Sequence, residues 1–194
     1  RLRAEVTELV PPAMSFHPII NPEWQKQNGV SVLAAEDHAH APFFLTMGDH
    51  LFEREILERL LADGDHAQAN LAVDRNIASI FDLDDATKVA TEGTRIAAIG
   101  KELEEFDAID TGVFLCPNEL FVYLRRAQVN GDCSLSDGIR LMGREGKARA
   151  VDIGDAWWQD VDTPAMLAQA ERMSARLLGE RGRGLAQERV ASHG

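Results

Sequence analysis

The sequence predicts an α/β fold in which a mixed, mostly parallel sheet is covered by helices on both faces, and three observations carry that expectation. Short apolar, β-rich runs alternate with stretches of helical periodicity. Two of those runs, 41–47 and 108–116, are apolar almost throughout, as strands buried on both faces are. The 194 residues, 45% hydrophobic and 27% charged, suffice for one core of ordinary globular balance.

Taken in order, residues 14–20 form the first β-rich run. Beyond Asn28 and Gly29 the segment VSVLAAEDHAH starts a helix, and 41–47 (APFFLTM) reads as a buried strand that stops at Gly48-Asp49-His50. Residues 53–62 place Ile56, Leu57, Leu60 and Leu61 at helical spacing, an amphipathic helix for one face of the sheet, closed by Asp63-Gly64-Asp65. Strand candidates follow at 69–73, 87–91 and 95–99. Glu92-Gly93 suits a hairpin between the last two, so that part is expected to be antiparallel. The run 108–116 (AIDTGVFLC) is another buried strand, and Pro117 opens a helix that turns Leu120, Phe121 and Leu124 inward. A helix over 134–144 and strands at 148–153 and 157–160 come next. Thr163-Pro164 then supplies the N-cap and first-turn proline of a helix that runs to about Gly179. Residues 1–178 are expected to form one domain and 179–194 a flexible tail. The chain starts mid-pattern and without Met, so N-terminal sequence is expected to be missing.

The formal charge of −12 argues against a nucleic-acid partner, because a polyphosphate backbone is bound by clustered Lys and Arg. Small phosphates remain compatible with local groups. No apolar run has the length of a membrane-spanning helix, and no membrane partner is expected for this chain. Cys116 and Cys133 form no CxxC spacing and suggest neither a zinc site nor a disulfide framework; a reducing cytoplasm fits best.

Two acidic clusters stand out. Asp49 follows the most apolar strand directly, at the carboxyl end where open α/β sheets bind ligands, and Gly48 lets a ligand approach the backbone. The alternative is that Asp49 only caps the next helix. In Trp157-Trp158-Gln159-Asp160-Val161-Asp162-Thr163 two carboxylates at i and i+2 point to one side of an extended segment. Either they are solvated charges ahead of a helix, or they join a cation: Mg²⁺ takes one or two carboxylates plus substrate phosphates, so one Asp from each strand end suffices. Lys88 and Lys101 lie where an ammonium reaches a phosphate or merely solvates the surface. Asp110-Thr111-Gly112 breaks an apolar strand with polar groups, which implies a partner, a ligand or a bulge. The histidines at 38, 40 and 50 lack an acid or cysteine at ligand spacing and read as surface or supporting groups. Neither a nucleophile elbow nor a Walker loop is present.

Taken together, NPEWQKQNGVSVLAA, FFLTMGDHLF, LAVDR, DDATKV, IGKELEEFDAIDTGVF, CSLSDGIRLM and WWQDVDTPAML, in that order and spacing, resemble the sugar-phosphate nucleotidylyltransferases. Within that family the resemblance is to the CTP:inositol-1-phosphate cytidylyltransferases, and it covers nearly the whole chain up to about Leu178. It implies a Rossmann-like core with Asn28, Gly29 and Ser31 beside base and ribose. It further implies Asp49 and Asp162 as Mg²⁺-binding acids, Lys101 at the acceptor's phosphate, and Thr111 and Gly112 along the acceptor pocket, with Lys88 and Asp74-Arg75 as supporting positions. The family's first strand and glycine-rich triphosphate loop are not in this chain, which weakens the expected phosphate cradle. The activity implied is cytidylyl transfer from CTP to a phosphorylated polyol such as inositol 1-phosphate, releasing pyrophosphate. Alternatives are a UTP- or GTP-using hexose-1-phosphate enzyme, or a non-catalytic nucleotide-binding module.

Overall fold

The computed structural model describes residues 2–175. In chain order these form α1 (Leu2–Leu9), α2 (Asn28–Leu33), β1 (Phe43–Thr46), β2 (His50–Phe52), α3 (Arg54–Asp63), β3 (Ala69–Asp74), β4 (Lys88–Glu92), β5 (Arg95–Gly100), β6 (Ala108–Cys116), α4 (Glu119–Ala127), α5 (Leu135–Arg144), β7 (Ala148–Asp152) and β8 (Trp158–Asp160). Residues 164–175 form a final helix, opened by a bond from the Met166 amide to the Thr163 hydroxyl. The expected tail, 179–194, lies outside the described residues.

Six strands build one sheet in the order β1-β6-β3-β7-β5-β4, and β4 also pairs with the start of β6, so the sheet curls back on itself. Only β3–β7 is a parallel pair; every other pair in this sheet is antiparallel. The expected mixed sheet is present, and the expectation that it is mostly parallel is corrected: antiparallel pairs are in the majority among the described residues. Continuous apolarity reports burial on both faces and is silent about strand direction. A parallel neighbour needs a long crossover, whereas β4 and β5 meet through a hairpin at Gly93 (φ 63°) and only the loop 101–107 separates β5 from β6.

Helices do cover both faces. On one, Ile56 and Leu60 of α3 pack against Ala72, Val113, Leu115 and Val151. On the other, Leu120, Phe121 and Leu124 of α4 and Ile139 and Met142 of α5 cover Leu71, Val73, Phe114 and Cys116. Successive strand residues point to opposite faces, so neighbours such as Leu71 and Ala72, or Phe114 and Leu115, feed different cores. Each large side chain buried this way contributes about 1.5–3 kcal/mol. A capping box between Ser134 and Asp137 starts α5, and Gly138 lets α5 close on α4, since a Cβ there would meet Leu124 at 2.7 Å. Two element readings change. Residues 14–20 form no strand and expose Met14 and Ile20, and β1 is a half-exposed edge strand rather than a buried one. Leu61 faces solvent, so the inward stripe of α3 is narrower than its spacing suggested.

A bulge in β6 shapes the functional end of the sheet. The register against β3 slips between Leu71↔Phe114 and Val73↔Asp110, and Gly112 sits inside that slip with φ 72°, a left-handed conformation that glycine adopts without strain. The Thr111 hydroxyl donates to the carbonyl of Ala72 (2.8 Å) within the bulge, while the amide of Gly112 donates to Asp110 Oδ1 (2.7 Å).

Candidate active site

A cavity of about 230 Å³ opens beside this bulge, walled by residues of β6, the β1–β2 turn, β8 and the segments 80–87 and 101. The small antiparallel ribbon of β2 and β8 builds its acidic side. His50 pairs with Asp160, and the amide of Val161 donates to the carbonyl of Asp49 at 2.9 Å. That ladder sets Asp49 opposite the segment that carries Asp160 and Asp162, and all three line the cavity. Burial raises the pKa of Asp160, and the nearby Asp162 and Asp49 add to it, while His50 opposes the rise.

His50 is the hub of this wall. Its Nδ1 lies 2.8 Å from Asp49 Oδ1, and its ring stacks on Trp158 (centroids 5.9 Å apart, planes at 14°). The Trp158 Nε1 donates in turn to Asp74 Oδ2 at 2.9 Å. Beneath it, burial pushes the Asp110 carboxyl up to about 6, against the pull of the Gly112 amide and His50. Opposite, Lys101 Nζ pairs with Asp85 Oδ1 at 2.7 Å, and the backbone carbonyl of Lys101 is held by Lys88 Nζ at 2.8 Å. Lys101 faces Asp49, Asp82, Asp85, Asp110, Asp160 and Asp162 in the same lining, so a polyphosphate entering here meets net negative charge unless a cation accompanies it.

Of the residues singled out from the sequence, Asp49, Asp162, Lys101, Asn28 and Gly112 share this wall. Ser31 and Gly48 line an adjoining cavity of about 470 Å³, which Asn28 and Met47 connect to the first. Gly48 has open space where a Cβ would sit, so packing does not require a glycine there. The other three are placed elsewhere. Gly29 faces the loop before α5, where a Cβ would lie 2.6 Å from the Cys133 carbonyl oxygen. Thr111 is fully buried and turned into the sheet by its bond to Ala72, so it lines no pocket wall here. Lys88 reaches the site only through the Lys101 carbonyl. Asn28 also has a structural task, because its Oδ1 accepts the Leu135 amide (2.8 Å) at the start of α5.

Sequence reasoning set His50 aside for want of a ligand partner; its partners Asp49, Asp110 and Asp160 come from the β1–β2 turn, β6 and the end of β8. Asp110 did carry a signal, as the polar break in an apolar strand. Asp85 carried none, because its meaning lies in an ion pair across two loops. Among the described residues no group of three or more His, Cys, Asp or Glu is placed to hold a metal by itself.

No protein-family model matches the chain. It is 38% identical over 160 residues to a bifunctional IPC transferase and DIPP synthase of Thermococcus kodakarensis, which covers 81% of this chain and 35% of that protein. It is 37% identical over 155 residues to a protein of the same description from Rubrobacter xylanophilus, covering 79% and 35%. The chain thus spans about a third of the length of the curated relatives it matches. Among solved structures, the inositol-1-phosphate CTP transferase from T. maritima superposes with a TM-score of 0.66 at 27% identity over 75% of this chain and 59% of that one. A UDP-glucose pyrophosphorylase superposes with a TM-score of 0.63 at 14% identity over 78% and 62%, a likeness of fold alone. The resemblance read from the ordered motifs, to sugar-phosphate nucleotidylyltransferases and among them the CTP:inositol-1-phosphate enzymes, is borne out by these matches.

Proposed function

We propose that residues 1–178 form a Mg²⁺-dependent nucleotidyltransferase domain that moves a cytidylyl group from CTP to a phosphorylated polyol such as inositol 1-phosphate, releasing pyrophosphate. One observation carries the reading: Asp49 and Asp162, remote in sequence, line the same cavity as Lys101. The similarity to an inositol-1-phosphate CTP transferase supports the choice of base and acceptor. Both cysteines are free and buried, in keeping with a reducing cytoplasm, and among the described residues no helix is long and apolar enough to cross a membrane.

The donor set fits Mg²⁺. Carboxylate oxygens are hard ligands, and two of them leave coordination positions for nucleotide phosphates and water. Asp49 and Asp162 would hold the ion, which when bound offsets the charge that develops on the reacting phosphates. The other contributions come from the chain itself. Lys101 exchanges its ion pair with Asp85 for the acceptor's phosphate. The open space over Gly48 lets the nucleotide approach the backbone, and Asn28 and Ser31 lie along the same groove for base and ribose. An oxygen of the acceptor phosphate bonds to the α-phosphorus in line while the bridge to the β-phosphate breaks, its electron pair leaving with pyrophosphate. No protein nucleophile takes part, and positioning accounts for most of the acceleration.

The test is pyrophosphate release by the full chain with CTP, UTP or GTP and inositol 1-phosphate. CTP should be preferred, and Asp49→Asn and Asp162→Asn should each lower turnover by on the order of 100-fold or more with circular dichroism unchanged. Wild-type rates in both variants would remove the site assignment.

A further inference from the structure

The two acids assigned to the cation flank the β2–β8 ribbon, Asp49 directly before β2 and Asp162 two residues after β8. Two strands of three residues each are too short to hold their own geometry. The placement of these acids therefore depends on what ties the ribbon to the six-stranded sheet, and one such tie is a relay of side chains that starts at Asp74. This residue closes β3, the strand paired on one side with β6 and on the other with β7, and it is 7% exposed. Its Oδ1 accepts the Asn76 amide (2.7 Å) and its Oδ2 the Trp158 indole (2.9 Å), so the carboxylate cannot turn without losing a bond.

From Trp158 the relay crosses the ribbon. Phe52 lies opposite Trp158 and His50 opposite Asp160, which makes His50 and Trp158 diagonal neighbours on one face, a separation that aromatic rings span. The two rings stack at 5.9 Å and 14°. Along its Cδ2–Nε2 edge the imidazole meets the backbone at Gly112, where a Cβ would lie 2.6 Å from Cδ2. The ring so confined presents Nδ1 to Asp49 Oδ1 at 2.8 Å. An ionised carboxylate only accepts, so Nδ1 carries the proton of that bond. Among the described residues it is the one hydrogen bond that the Asp49 side chain makes.

A neutral acceptor would satisfy an indole N–H at a smaller desolvation cost than a buried carboxylate. The charge at position 74 makes the bond stronger, which orienting the ring requires and satisfying it does not. We propose that Asp74 and Trp158 are positioning residues for the cation site: Asp74 fixes the indole, the indole fixes the His50 ring, and the ring fixes Asp49 with its other oxygen left for the ion. Partners of this outer kind set metal affinity because they hold a ligand ready before the ion arrives. The purpose of the relay rests on the Mg²⁺ reading above; its geometry does not.

The experiment compares the full chain with Trp158→Phe, which keeps an aromatic face on His50 and loses the indole N–H, with Asp74→Asn, with the double variant, and with Trp157→Phe as the neighbouring control. Mn²⁺ affinity in the presence of CTP is read from the paramagnetic resonance of the free ion, and the His50 ring signals are followed by NMR without metal or nucleotide. Trp158→Phe and Asp74→Asn should each weaken Mn²⁺ binding about tenfold, and the double variant no more than either alone, because both cut the same relay. Both should shift the His50 signals, and raised Mg²⁺ should return turnover toward the wild-type rate. Trp157→Phe should change none of these. Should Asp74→Asn fail to fold, Trp158→Phe decides the case by itself. Unaltered Mn²⁺ affinity in Trp158→Phe, an equal loss in Trp157→Phe, or losses that add in the double variant overturn the proposal. Shifted His50 signals with no Mn²⁺ bound even by the wild type remove the cation reading and leave the relay; Mn²⁺ bound by the wild type with His50 signals unmoved in both variants does the reverse.

Discussion

Asp110→Asn isolates the electrostatic design of the bulge. The carboxyl of Asp110 is raised from 3.8 to about 6, chiefly by burial, so the folded chain binds its proton more tightly than the unfolded chain does. Between about pH 4 and pH 6 the unfolded state has lost that proton while the folded state keeps it. Stability therefore falls as pH rises through this window and stays lower above it. A displacement of that size corresponds to at most about 3 kcal/mol at 1.36 kcal/mol per pH unit, and solvent in the cavity reduces it to about 1–2 kcal/mol. Asparagine copies the protonated acid and keeps the acceptor for the Gly112 amide. Urea denaturation at half-unit steps from pH 4 to pH 8 should show Asp110→Asn matching the wild type at the acid end and exceeding it by about 1–2 kcal/mol above pH 6. A gap that does not change with pH, or a variant less stable at pH 7, would refute the reasoning.

Two further substitutions separate structure from chemistry in the same bulge. Thr111→Val removes the bond to the Ala72 carbonyl and should cost about 1–2 kcal/mol in denaturation, with both substrate KM values unchanged, because that hydroxyl faces the sheet. Gly112→Ala adds a Cβ that meets His50 Cδ2 at 2.6 Å and Nε2 at 2.7 Å in a left-handed backbone; it should cost about 1–3 kcal/mol and lower turnover by displacing His50, whereas stability should be little changed by Gly48→Ala, where that space is open. Parallel melts and turnover numbers for the two alanine variants check the contrast.

Much of the element order was legible along the chain. The run 108–116 is a strand with those same bounds, and 95–99, 69–73 and 134–144 each lie within one residue of the element observed. Such runs are local statements, since burial of one or both faces leaves its period in consecutive residues. Residues 14–20 misled because apolar composition is not a pairing partner. The candidate site was half legible. Asp49 and Asp162 stood out as acids at strand ends, but Thr111 and Gly29 carried motif positions whose side-chain direction no motif states. Thr111 turns inward because the bulge at Gly112 re-aims its neighbours.

From its sequence alone this protein determined where strands and helices begin and end, and which acids stand at the strand ends, because periodicity, caps and turn residues act over a few neighbours. Tertiary structure decided the direction of the strands, the company of His50 and the pairing of Asp85 with Lys101. Each of these depends on registers and contacts between segments far apart in the chain, and their energies arise only once the sheet has closed.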